Sequence, residues 1–440
     1  MILRTTLTLL WCVFALSQER LSLSQNLFIT CDDENQVRLS SMEGLRERTF
    51  FSFDTREVLS VKAFEKFDIV AVQGSYRLTS SKPSFETTKM IVTSCSVVDD
   101  VAIVTGRSFG AVVGTRSENE IQNISLSFDY NMTFKVSDST SSLSYVDGID
   151  FSVDLTPSDS ISRSYSFRQS AIYARIQWNS DATQDFFGFG EQYSHINMKG
   201  KQVPILVSEQ GVGRGLEPIS FALGLQSGNE FTTYAPLPTY IATASENSNT
   251  AAHAFMLRNT EYCVFDMTHD NKTFVDILRP NFGNGKSEPV VGTLFRSSRR
   301  RPLDLLHGIT EYTGRMRSLP SWILRGAVIG LEGGTDQVTE ILHTLRDHDV
   351  DVSALWLQDW SGVNVDNFGE RVEWNWQLDS TRYPRWNELA QDVRLMTYIN
   401  PYLANNMYGR EGRNLFQEAS ELGYLIRNST GHPYILASGT

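Results

Sequence analysis

Between Trp356 and Trp376 the chain reads WLQDWSGVNVDNFGERVEWNW. Four of the protein's eight tryptophans, Trp356, Trp360, Trp374 and Trp376, fall in this one segment, interleaved with Gln358, Asp359, Arg371, Glu373 and Asn375. An indole face stacks on the C–H face of a sugar ring, and its N–H donates a hydrogen bond. Carboxylates and amides bind hydroxyl pairs, and an arginine offers a planar fork to an anionic group. Those residue types at that density point to a carbohydrate site. A tryptophan-rich core plug with a surface salt bridge is the plainer alternative. A second segment, Gly188–Arg214, carries two Glu-Gln pairs beside glycines, Glu191-Gln192 and Glu209-Gln210, and ends on Arg214. Glycine permits tight turns and close backbone approach. Ordinary polar hairpin loops are the favoured reading there, and a substrate loop the alternative.

Other chemistry finds no support. No Walker loop is present, and Gly188-Phe189-Gly190 lacks the spacing of a dinucleotide fingerprint. The seven histidines form neither HExxH nor HxH, so neither a metal nor a cofactor is expected. The net charge of −12 argues against a nucleic-acid partner, which would need clustered Lys and Arg.

The tryptophan segment opens at the end of an expected strand, Val352–Leu357, where barrel enzymes place their sites. From Pro320 on, strands and helices alternate. Arg325–Leu331 reads as a strand. Thr335–His348 reads as an amphipathic helix with Val338, Ile341, Leu342 and Leu345 on one face. A short helix at Asn387–Asp392, a strand at Leu395–Ile399, a helix at Glu411–Leu422 and a strand at Tyr424–Ile426 follow. Repeated β–α units imply a parallel sheet. Upstream, short apolar runs such as Ile69–Val72, Met90–Val92, Val101–Val104, Leu126–Phe128 and Tyr262–Phe265 are punctuated by turn residues, the pattern of an antiparallel sandwich. The expected architecture is an N-terminal antiparallel β-sandwich over residues 26–305, a linker at 306–319, and the first part of a (β/α)8 barrel over 320–440. The basic run Arg296–Arg301 is read as a solvated linker face. A full barrel takes about 250 residues, so only about three and a half units fit, and the chain is expected to be a fragment of a longer protein.

The first residues, MILRTTLTLLWCVFALSQERLSLS, place Arg4 before a short apolar run, the layout of a secretory signal peptide over about residues 1–25. A secreted or lumenal protein is expected, lysosomal or extracellular, with no membrane span. Four N-x-[ST] sequons, at Asn123, Asn131, Asn271 and Asn428, are candidate glycan acceptors on surface loops. Beyond Cys12, three cysteines remain, Cys31, Cys95 and Cys263. They allow one intrachain disulfide and one free thiol, with the pairing open.

The two segments also carry a resemblance. GFGEQ (Gly188–Gln192), SEQGVGR (Ser208–Arg214), GLEGGT (Gly330–Thr335), LQDWSG (Leu357–Gly362), FGERVEWNW (Phe368–Trp376) and YINPY (Tyr398–Tyr402) resemble glycoside hydrolase family 31, within it the sulfoquinovosidases, in family order. The resemblance implies retaining cleavage of α-glycosides of sulfoquinovose, a 6-deoxy-6-sulfoglucose, on a sandwich-plus-barrel fold. It implies Arg371 and Trp374 as sulfonate ligands, Gln358 as the holder of a hydroxyl or a sulfonate-bound water, and Asp359 and Glu332 as further sugar contacts. Glu332 stands where many such enzymes have Gln. Retaining glycosidases need two carboxylates about 5–5.5 Å apart, and the family's two aspartate motifs do not occur here, so no catalytic residue is assigned within this chain. Two alternatives stand beside this reading: a non-catalytic carbohydrate-binding pseudoenzyme, and an α-glucosidase or α-galactosidase of the same family.

Overall fold

Alternation of apolar and polar side chains builds the N-terminal unit. Leu27–Cys31 and Leu59–Phe64 bury every second residue, the period of a sheet with one face in the core. The structure, a computed structural model, describes residues 19–24, 27–32, 36–43, 46–72, 75–112, 124–138, 143, 145–209, 228–243, 251–280, 282, 288–299, 301–366, 369–405, 413–428 and 430–435. The chain divides into two units between Arg315 and Met316.

Three larger antiparallel sheets and a separate two-stranded hairpin, Phe67–Val72 with Ser75–Ser80, form the first unit among the described residues. The largest has eight strands, in the order Phe186–Gly190, Pro236–Ala242, His253–Leu257, Val290–Ser297, Val146–Pro157, Ile124–Val136, Val101–Val112 and Lys89–Val98. A six-stranded sheet runs Gln202–Ile205, Cys263–Asp266, Lys272–Leu278, Ala171–Asn179, Leu59–Phe64 and Phe85–Glu86. Glu19–Ser22, Leu27–Cys31, Gln36–Glu43 and Arg46–Asp54 make a four-stranded sheet. Their inner faces meet in one aromatic core. Trp178 of the six-stranded sheet stacks on Phe255 of the eight-stranded one with centroids 4.8 Å apart, and Phe51 of the four-stranded sheet lies 5.7 Å from Trp178. A disulfide joins Cys31 to Cys95, on an edge strand of the eight-stranded sheet, with Cα atoms 6.7 Å apart. Cys263 is a free thiol that burial pushes well above its usual range.

The strands outrun their sequence cues. Val101–Val104 extends to Val112, and Leu126–Phe128 lies inside Ile124–Val136. A polar residue within such a strand can be buried if it is hydrogen-bonded, as Ser108 Oγ is to Leu59 O of the six-stranded sheet at 3.4 Å. The expected boundary at residue 26 is too late. Glu19–Ser22 pairs with Leu27–Cys31, and Leu23 is buried, while residues 1–18 lie outside the described residues. The expected linker at 306–319 is also corrected. Most of it belongs to a helix, Pro302–Thr313, opened by a proline whose missing N–H costs nothing in the first turn. Leu305 and Gly308 bury against the sheet, and a Cβ at 308 would come within 2.8 Å of Val146. Nor is Arg296 solvated: it sits in the Val290–Ser297 strand, 2% exposed, donating to Asp147 at 2.5 Å. Among the sequons, Asn271 and Asn428 are exposed in bends or turns. Asn131 is half-buried in mid-strand between two neighbours rather than on a loop, and Asn123 lies outside the described residues.

The second unit is built on a parallel sheet, Ala327–Leu331, Val352–Leu357, Arg394–Thr397, in that order. One face is covered by the helices Gly334–Asp347 and Trp386–Asp392: Val338, Leu342 and Leu389 pack on Leu355 and Leu357. On the other face Val328, Trp356 and Met396 are about two-fifths exposed. The last helix, Leu415–Glu421, is capped by Asn414, whose side chain accepts from Gln417 N at 2.9 Å. The expected strand at Tyr424–Ile426 does not form. Tyr424 and Ile426 are largely exposed, and among the described residues no ladder forms there, the isolated bridge of Arg427 to Pro433 lying just beyond the segment. A strand without a neighbour leaves its backbone groups to water. Among the described residues no helix is long and apolar enough to cross a membrane.

Candidate carbohydrate site at the strand ends

Each parallel strand is followed directly by a residue able to bind a hydroxyl. In the sheet, Gly330, Trp356 and Met396 are in register. Two residues further on, and therefore on the same face, come Glu332, Gln358 and Tyr398. The ladder continues far enough to hold them: Gln358 N donates to Leu331 O at 3.3 Å, and Tyr398 N to Leu357 O at 3.1 Å. Glu332 is exposed and Gln358 half-buried. Among the described residues neither side chain meets a hydrogen-bond partner. Gly330 leaves room below them, since a Cβ there would lie 3.2 Å from the Trp356 ring. Tyr398 lies edge-on to both Trp356 and Trp376, with centroids 6.0 Å apart in each pair, and its hydroxyl accepts from Asn400 at 3.0 Å.

A hairpin, Val363–Asp366 with Gly369–Val372, carries Arg371, and Trp374 lies two residues beyond its outgoing strand. Its base is pinned to the turn after Gln358. Ser361 Oγ donates to Glu373 O at 2.7 Å, Glu373 N to Gly362 O at 2.9 Å, and Gly362 N to Asp359 O at 2.9 Å. Arg371 is half-buried on the outgoing strand. Trp374 packs its ring on Tyr402, centroids 5.4 Å apart, and its indole N–H meets no acceptor among the described residues. The plainer reading of the tryptophans holds for one of the four. Trp360 donates from Nε1 to Tyr398 O at 2.7 Å and packs on Trp386 in the core.

Asp359 is corrected from a sugar contact to an internal support. It is fully buried, and its carboxylate accepts from Gly333 N at 2.8 Å, from Arg382 Nε at 2.5 Å and from the Tyr383 hydroxyl. Burial, reinforced by that carboxylate, pushes the Tyr383 phenol up. Arg382 carries the connection further, accepting from Thr335 N at 3.1 Å and reaching Glu370 at 3.3 Å. One buried carboxylate therefore ties the turn after the first strand to the turn after the second. Sequence reading missed Arg382, Tyr383 and Tyr398. Tyr398 stood inside YINPY with no role attached, and nothing in the spacing of Arg382-Tyr383 marked it.

The other sequence candidates lie in the N-terminal unit. Gly188, Phe189 and Gly190 have φ of 128°, 65° and 79°, a run that turns the chain sharply and leaves Glu191 exposed. Gln192 donates to Phe189 O at 3.1 Å, and Glu209 accepts from the Tyr234 hydroxyl. Gln192 thus closes its own turn, and Glu209 joins its segment to that of Tyr234. Gln210 and Arg214 lie outside the described residues.

Comparison with known proteins points to one kind of relative. The chain is 31% identical over 266 residues to a sulfoquinovosidase from Escherichia coli (strain K12), covering 58% of this chain and 35% of that protein. It is 30% identical over 278 residues to one from Agrobacterium fabrum, covering 61% and 38%. Over the matched residues the chain is similar to these sulfoquinovosidases. No protein-family model matches it. In fold it is similar to a family 31 sulfoquinovosidase from E. rectale solved with an aza-sugar inhibitor, with a TM-score of 0.67 and 22% identity over 92% of this chain and 52% of that one. The chain spans little more than a third of the length of the curated relatives it matches.

Proposed function

We propose that the protein recognises an α-glycoside of a 6-sulfonated sugar, as part of a retaining glycoside hydrolase whose barrel begins with the three parallel strands. The observation that carries this reading is the placement of Arg371 on the hairpin's outgoing strand and of Trp374 just beyond it, with the base of the hairpin pinned to the turn after Gln358. A guanidinium and an indole N–H make two donors for a sulfonate, and charge-assisted donors are the stronger kind. Gln358 and Tyr398 supply the neutral contacts to ring hydroxyls. The buried Asp359 keeps the loops that carry them in place. No residue of this chain is assigned as nucleophile or acid/base. A leader ending before Glu19 and export to an oxidising compartment fit the Cys31–Cys95 disulfide.

The test is a titration of the full chain with methyl α-sulfoquinovoside and, separately, with methyl α-glucoside. Arg371→Ala is expected to weaken the sulfonated ligand about tenfold or more, about 1.4 kcal/mol, and to leave the glucoside unchanged. Equal loss on both ligands would remove the sulfonate role. Glu332 favours a second reading. An exposed carboxylate in the same layer as Gln358 suits a ligand with hydroxyls alone, of the α-glucosidase or α-galactosidase kind. That reading predicts tighter binding of the uncharged glycoside.

A further inference from the structure

The outer face of the six-stranded sheet carries a cleft of about 280 Å³. The hairpin Phe67–Val72 with Ser75–Ser80 contributes one wall, through Phe67 and Leu78. Three rings meet there at steep angles: Phe64 to Tyr173 at 5.5 Å and 79°, Phe67 to Tyr173 at 6.1 Å and 67°. Polar groups converge on the same space, and the charges lining it balance, Lys62 and Arg175 against Asp266 and Asp276. Arg175 grips Asp276 with two hydrogen bonds of 2.6 and 2.7 Å. Lys62 lies 3.3 Å from Glu86, and Gln202 donates to Asp266 at 2.6 Å. The Tyr173 and Tyr262 hydroxyls meet no protein partner among the described residues. Burial raises both phenols, Tyr262 to about 12, so each remains a donor at neutral pH.

A ligand with net charge gains little from balanced ion pairs. A polyhydroxylated ring gains from all of them, and its C–H face gains from the aromatic wall. The cleft falls below the roughly 300–1,000 Å³ of pockets for larger ligands, which leaves room for one ring. We propose that this cleft is a carbohydrate-binding site for a single neutral hexose unit, held between the Phe64–Phe67–Tyr173 rings and the Arg175–Asp276 pair. It belongs to the N-terminal unit and does not depend on the sulfonate reading of the strand-end site.

The full chain is titrated with maltose, cellobiose and lactose, followed by ligand-observed NMR. At least one disaccharide is expected to saturate with a Kd of about 1 mM. Phe67→Ala is expected to weaken it about tenfold. Tyr262→Phe, which keeps the ring and the fold, is expected to weaken it several-fold with the melting temperature unchanged. Trp374→Ala, in the other unit, should leave this binding intact even if it abolishes binding of methyl α-sulfoquinovoside. Three results would each overturn the proposal: no saturable binding of any of the three sugars, binding indifferent to Tyr262→Phe, or a Tyr262-dependent affinity for glucose 6-sulfate above that for the neutral sugars.

Discussion

Asp359 does the most for the strand-end site while touching none of its open space. Its carboxylate is fully buried and satisfied by a backbone N–H, a guanidinium and a phenol. Removing one member of such a group leaves the others unpaired out of water, which costs more than the bond itself contributes. Asp359→Ala is therefore expected to destabilise the protein by about 3–5 kcal/mol, and Tyr383→Phe by about 1–2 kcal/mol. Urea unfolding midpoints check the order, and a milder loss for Asp359→Ala than for Tyr383→Phe would contradict it. This residue also shows how far the sequence could be read. LQDWSG marked the place, because a polar pair directly after a mainly apolar run is visible in one dimension. What it could not show is that Gln358 and Asp359, adjacent in sequence, differ in burial and point to different tasks. Nor could it show that Asp359 meets Arg382 and Tyr383, more than twenty residues away, through a loop with no periodicity.

Among the elements, the turn Gly188–Gly190 is the most constrained. Phe189 holds φ 65° with its ring fully buried, a backbone choice that costs an L-residue about 1–2 kcal/mol and is offset by burying the ring. The two glycines are needed for space as well as for φ. A Cβ on Gly190 would lie 2.1 Å from Ala235 O, whereas one on Gly200, at a similar φ of 74°, would meet nothing within 4 Å. Gly200→Ala is expected to cost about 1 kcal/mol through φ alone, and Gly190→Ala at least twice as much. Comparable losses in thermal unfolding would show that the close approach is not what matters. Elements with strong periodicity were legible. Val352–Leu357 lies where its apolar run put it, and the Thr335–His348 helix shifts by one residue at each end. Tyr424–Ile426 misled because strand propensity is realised only against a neighbouring strand. The part of the Pro302–Thr313 helix that falls in the expected 306–319 linker is not legible as helix because its buried stripe is narrow, only Asp304, Leu305 and Gly308 being covered.

For the molecule as a whole, stability should depend on acid and on redox state. His253 is buried between Phe51 and Tyr240. Burial pulls its imidazole down to about 4, only partly offset by the Ala251 carbonyl. Between about pH 6.5 and 4 the unfolded chain takes up a proton that the folded chain refuses, so this contribution is complete above pH 6.5 and falls away as the pH drops. The loss approaches about 3 kcal/mol. His253→Gln should flatten the stability profile between pH 6.5 and 5.5, measured by urea unfolding; an unchanged slope there would assign the acid sensitivity to other groups. The disulfide closes a loop of sequence separation 64, for which chain-entropy reasoning gives about 4 kcal/mol. Reduction should lower the melting temperature, with Cys263 still unreactive toward a thiol reagent in the folded protein. The same bond has a consequence for how a damaged molecule would look. A single protease cut between Cys31 and Cys95 would leave the N-terminal strands covalently attached, so the nicked protein would run at full mass on a non-reducing gel. It would come apart into two pieces only after reduction and denaturation.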